Sequence, residues 1–114
     1  MSKRDSLLYI VDAIESIEAI ESYIKDLSFE EFINDRKTYS ATLREYIVIG
    51  EAISKTIELL NQEMPDFAWR AVKDFRNFIV HEYFGVDARM VWDLSMLELP
   101  ELKSRFIEIK ESKA

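Results

Sequence analysis

The sequence predicts an all-α fold, a bundle of about five helices, and three observations carry that expectation. Glycine and proline occur only 2 times each in 114 residues, too few for the many turns of a β-sheet protein. Charged residues make up 32% and hydrophobic ones 48%, an ordinary globular balance. The apolar residues recur at steps of three and four, the period of a helix with one buried face. The length suits one domain, residues 1–114, with its own core.

Residues 4–27 carry Leu7, Ile10, Val11, Ile14, Ile17, Ile20, Ile24 and Leu27 on one stripe. Asp12, Glu15, Glu18 and Glu21 fill the other face, which reads as solvated. Ser28 and Glu31 fit a capping box that starts a short second helix. From 36 to 61, Tyr39, Leu43, Tyr46, Gly50, Ile53, Ile57 and Leu60 form an unbroken heptad seam. A glycine inside a helix costs about 1 kcal/mol relative to alanine, so Gly50 predicts the close approach of another helix. Ile47 and Val48 widen this face enough for a bundle helix or a dimer contact. Met64-Pro65-Asp66 breaks the helix, and Asp66 is placed to cap the next, which starts near Phe67 or Ala68. Trp69 reads as core. This helix is expected to run to about Phe84, with Gly85 as its stop. Its buried side is expected to be Val72, Phe75, Phe78 and Ile79. Glu82 conflicts with that face, so either the helix distorts near His81 or Glu82 finds a partner such as Arg44. Asp87 caps a further helix over 88–98, with Met90, Val91, Leu94 and Leu97 inward. Pro100 opens a last helix to about 112, with the stripe Leu102, Phe106 and Ile109.

Composition removes several chemistries. Without cysteine there is no disulfide framework and no thiolate nucleophile. One histidine leaves a zinc site without its usual ligands, and no metal site is expected. The apolar runs are far shorter than a membrane span, and the first residues lack the apolar core of a signal peptide. A soluble, cytoplasmic protein is expected. The net charge of −7 argues against broad non-specific nucleic-acid binding, while leaving room for a local basic pocket.

The chemically active groups gather in Arg76-Asn77-Phe78-Ile79-Val80-His81-Glu82-Tyr83-Phe84. On an ideal helix Arg76 and Tyr83 lie within about 20° of one another, two turns apart. Asn77 and His81 form an adjoining i, i+4 stripe. Histidine takes or gives a proton near neutral pH, and arginine grips phosphate with two parallel N–H groups. In RNA the 2′-hydroxyl is itself a nucleophile, so such a site needs no metal and no cofactor. On the residues alone, a structural histidine remains the simpler reading. Arg76 and His81 stand about 140° apart on one helix, which suits a cleft shared by two copies better than a site within one.

Taken in order, the blocks of this sequence resemble the HepT-like family of small HEPN-domain proteins. The matching residues are Arg44 with Ile49-Gly50-Glu51-Ala52, then Pro65 and Trp69, then Arg76-Asn77 through His81-Glu82-Tyr83-Phe84. Val86-Asp87, Val91-Trp92 and Leu99-Pro100 with Leu102 complete the set. The resemblance implies an all-α, HEPN-like bundle that forms a homodimer and joins two motifs in one cleft. It implies a metal-independent endoribonuclease acting on RNA, the toxin of a type VII-like toxin–antitoxin pair. Carried over by position, Arg76 and His81 are catalytic and Asn77 is the polar residue after the arginine, with Arg44 and Glu82 in supporting places. Tyr83 matches the tyrosine that an MntA-like minimal nucleotidyltransferase antitoxin modifies with AMP from ATP. The alternative is a non-catalytic accessory subunit that holds a nucleotide or other small substrate for a nucleotidyltransferase.

Overall fold

A computed structural model of the chain describes residues 2–82 and 85–113, and among these every regular element is helical. The helices are α1 (Lys3–Ile24), α2 (Phe29–Asn34), α3 (Arg36–Glu63), α4 (Trp69–His81), α5 (Ala88–Asp93) and α6 (Leu99–Lys113). A π-helical turn, Leu94–Glu98, joins the last two. The all-α bundle expected from the periodicity is what forms. Among the described residues no helix is long and apolar enough to cross a membrane.

Short-range chemistry sets most of the helix starts. Ser28 and Glu31 make the full capping box: Glu31 N–H donates to Ser28 Oγ at 3.1 Å, and Ser28 N–H donates to Glu31 Oε1 at 2.9 Å. Asp66 does not cap α4, whose N-cap is Ala68 with no side-chain hydrogen bond. The entry to α4 is held instead by Trp69, buried, whose Nε1–H donates to the Met64 carbonyl at 3.1 Å.

Helix α3 is the central element, packed against α1 and α4. Its seam residues Leu43, Tyr46, Gly50, Ile53 and Leu60 are all buried, as their spacing requires. Ile10, Ile17 and Ile20 of α1 and Phe106 of α6 are fully enclosed beside them. Part of the acidic face of α1 is used for docking: Lys103 on α6 reaches Glu21 at 2.9 Å and Glu18 at 3.5 Å. The seam is not straight. Thr56 leaves helical geometry at φ −116° and ψ 15°, with its Oγ1 donating to the Ala52 carbonyl at 2.7 Å. A hydroxyl bonded back to the preceding turn bends a helix in this way.

The C-terminal segment departs from expectation. Two helices broken at Pro100 are predicted, and one continuous helical run forms. Leu99 N–H reaches back five residues to the Leu94 carbonyl. Proline lacks an N–H and its ring crowds the carbonyl of the previous turn; a wider π turn immediately before it accommodates both. The wider turn also rotates the register. Leu97, expected inward, is 74% exposed, while Val91, Ser95 and Leu99 are buried; Met90, also expected inward, lies before this turn and is 37% exposed.

Ser95 then becomes a tie point. Its Oγ donates to the Val91 carbonyl at 2.8 Å, so the Tyr46 hydroxyl, 2.7 Å away, donates to Ser95. The Tyr46 ring meets Phe75 of α4 edge-on at 5.3 Å. One side chain of α3 thus contacts both α4 and the π turn. Burial pushes the Tyr46 phenol up to about 12, against about 10 in the unfolded chain. The folded state therefore holds its proton where the unfolded state loses it, and this contribution is present below pH 10 and is lost as pH rises towards 12. Denaturant melts at pH 9 and pH 11.5 are expected to differ by about 2 kcal/mol more in the wild type than in Tyr46→Phe. Equal losses in the two proteins would contradict this linkage.

Candidate active site

The site begins with the absence of a side chain. A Cβ built on Gly50 would collide with Arg76 Cβ and lie 2.5 Å from its Cγ. The close approach expected at Gly50 is realised, and what approaches is the stem of Arg76. The stripe of α4 turned to α3 therefore includes Val72, Phe75 and Arg76 around the fully buried Ile79. Phe78, expected inside, is 41% exposed. It stands about 100° round the helix from Ile79, and the bare backbone at Gly50 draws the other edge of α4 inward.

Two carbonyl-type oxygens hold the guanidinium. Nη2 donates to Glu51 Oε2 at 3.0 Å and Nη1 donates to Asn77 Oδ1 at 2.7 Å. The Arg76 and Glu51 side chains are 29% and 43% exposed, so the pair sits at the protein–water boundary. Arg76 Nε is buried and has no partner among the described residues. Of the five guanidinium N–H groups, one is buried and two donate to these oxygens; the other two have no hydrogen-bond partner among the described residues.

The remaining predicted residues separate. Asn77 joins Arg76 directly. His81 is the last residue of α4 and is exposed. On this regular helix it lies about 140° round the axis and about 7.5 Å along it from Arg76, so the two do not converge on one spot within a protomer. Arg44 is exposed, and no salt bridge joins it to Glu51 or Glu82 among the described residues. Glu82 is the exposed C-cap of α4, at φ −126° and ψ 37°. The helix ends there rather than running to Phe84, and this keeps the carboxylate off the apolar face. Of the two alternatives for Glu82, termination is the one that occurs. Gly85 is correspondingly not a left-handed stop: it has no positive φ, and its N–H donates to the Glu82 carbonyl at 2.7 Å. The Tyr39 hydroxyl donates to the Val86 carbonyl at 3.2 Å and anchors the following loop to α3. Tyr83 lies outside the described residues. Among the described residues no group of three or more histidine or carboxylate side chains is arranged to hold a metal ion.

Sequence reasoning named Glu51 only within the block Ile49-Gly50-Glu51-Ala52 and gave it no role in the site. The signal was present: the residue after a seam glycine borders whatever packs on that glycine.

Comparison with known proteins identifies the family. The family model described as ribonuclease HepT-like matches residues 13–109. A Thermococcus cleftensis protein described as "Probable ribonuclease HepT" is 34% identical over 109 residues, covering 96% of this chain and 99% of its own. Two Methanocaldococcus jannaschii proteins, each provisionally named an RNase, are also 34% identical over 109 residues, covering 94% and 90% of their lengths. No solved structure matches significantly. With both the family model and full-length relatives aligned across the Gly50–Arg76 seat, the chain belongs to the ribonuclease HepT-like family.

Proposed function

We propose that this chain is a metal-independent endoribonuclease, and that it acts as the toxin of a toxin–antitoxin pair. The observation that most supports the first part is a guanidinium seated on bare backbone, its tip partly open, on the same helix as an exposed imidazole. RNA brings its own nucleophile. The 2′-oxygen attacks phosphorus as a His81 imidazole removes its proton. The bond from phosphorus to the 5′-oxygen breaks, an imidazolium returns a proton to that oxygen, and a 2′,3′-cyclic phosphate remains. Arg76 binds the non-bridging oxygens and stabilises the extra charge of the phosphorane, while Asn77 orients the guanidinium.

Because Arg76 and His81 diverge by about 140° on α4, the working site is a cleft shared by two copies across a two-fold axis. Phe78 and Val80, 41% and 47% exposed beside the motif, supply apolar surface for such a contact. Tyr83 is the proposed control point. Its phenol oxygen attacks the α-phosphorus of ATP held by an MntA-like nucleotidyltransferase, pyrophosphate leaves, and the phenolic proton is released. The new phosphodiester then occupies Arg76 in place of RNA, and the adenosine obstructs the cleft.

Three outcomes are expected. His81→Ala lowers RNA cleavage by about 10²–10⁴-fold, and the wild type continues to cut in EDTA, leaving 2′,3′-cyclic ends; wild-type rates in the variant, or strict dependence on added magnesium, would overturn the scheme. Analytical ultracentrifugation at the concentration used for cleavage finds dimers, and active isolated monomers would remove the shared cleft. Co-expression with the nucleotidyltransferase adds the mass of one AMP to the peptide containing Tyr83, and Tyr83→Phe carries none. Full neutralisation of Tyr83→Phe without any modification would mean that the antitoxin works by binding alone.

A further inference from the structure

We infer that Glu51 is the positioning residue of the reaction: it fixes the Arg76 guanidinium in the orientation that receives phosphate. The inference rests on the ribonuclease reading for its catalytic meaning and on the α3–α4 contact for its geometry.

Three observations converge. The stem of Arg76 lies against Gly50, where any side chain would collide with it. This fixes where the side chain leaves α4 and buries Nε, which has no partner among the described residues. It does not fix the tip, which can still turn about the last bonds of the side chain. The tip is set by Glu51 Oε2 at 3.0 Å on Nη2 and by Asn77 Oδ1 at 2.7 Å on Nη1. Asn77 is the next residue on the same helix and moves with Arg76. Glu51 belongs to α3 and is the oxygen that ties the guanidinium to the rest of the bundle. A charged acceptor also opposes the negative phosphate that Arg76 is to bind, so the carboxylate weakens ground-state attraction while it orients the group. The arrangement exchanges some affinity for RNA against a guanidinium already aligned for the phosphorane, where charge is greatest.

The signature is a split between kcat and KM. Losing a hydrogen bond to a charged group corresponds to about 10–100-fold in rate. Glu51→Ala is therefore expected to lower kcat for RNA cleavage by that factor while KM stays level or falls. Glu51→Gln keeps an oxygen acceptor in the same place and recovers most of the lost kcat. Partial unfolding also lowers apparent kcat at unchanged KM, so kcat is referred to the folded fraction of each variant, measured by circular dichroism. A second measurement does not depend on activity. In NMR of the whole protein, the two Nη groups of Arg76 are expected to interchange by rotation about the Nε–Cζ bond much more slowly than those of the exposed Arg44, and Glu51→Ala, but not Glu51→Gln, speeds that interchange. An Ala variant with wild-type kcat, a Gln variant no better than Ala, or Arg76 Nη groups that interchange equally fast in the wild type and in Glu51→Ala would each overturn the assignment. If the wild type cuts no RNA at all, the rotation data still decide whether Glu51 holds the Arg76 guanidinium, and the ribonuclease reading is what fails.

Discussion

An arginine pressed onto a glycine governs the rest of this structure. Seating the Arg76 stem on Gly50 brings α4 close to α3, puts Ile79 at full burial and draws Phe75 onto the Tyr46 ring. The arrangement is costly in isolation. A guanidinium is partly removed from water, one of its donors has no partner among the described residues, and a helix carries glycine at its centre. Replacing such a pair with apolar residues is often neutral or stabilising, so stability alone does not account for it. A cation held in place at the protein–water boundary is what anion chemistry requires.

The same contact explains why the two expected catalytic groups behave so differently. Arg76 belongs to the packed side of α4 and is set by tertiary contacts, whereas His81 stands on the far side of the last turn, in water. A group that clamps phosphate gains from being fixed, and a proton carrier must meet both substrate and solvent. Ending α4 at Glu82 serves this division, because one more turn would drive a carboxylate into the apolar stripe below Phe75 and Ile79.

Net acidity need not conflict with an anionic substrate. Some of the negative charge is engaged in holding the bundle together: Glu18 and Glu21 clamp Lys103, Glu63 meets Lys113, and Glu51 meets Arg76. Only the last of these pairs lies at the α3–α4 seat. With little general attraction for polyanions, recognition falls to a few oriented groups.

Most of the bundle was legible in the sequence because it rests on local rules. The heptad seam of α3 is a matter of side-chain spacing along one helix, and the capping box at Ser28 and Glu31 closes within four residues. The motif and its family resemblance were likewise written in the order of residues. What the sequence could not decide were the places where two distant segments compete for the same space. Spacing alone put Phe78 inside and did not place Arg76 against α3; the missing side chain at Gly50, 26 residues before Arg76, seats the arginine stem there and leaves Phe78 exposed. Pro100 read as a helix start until the preceding turn widened to accept it, which sent Leu97 outward. Glu51 gained its role only when α4 was laid across it. Periodicity describes one helix at a time, and the packing of one helix on another decides which of its faces is buried.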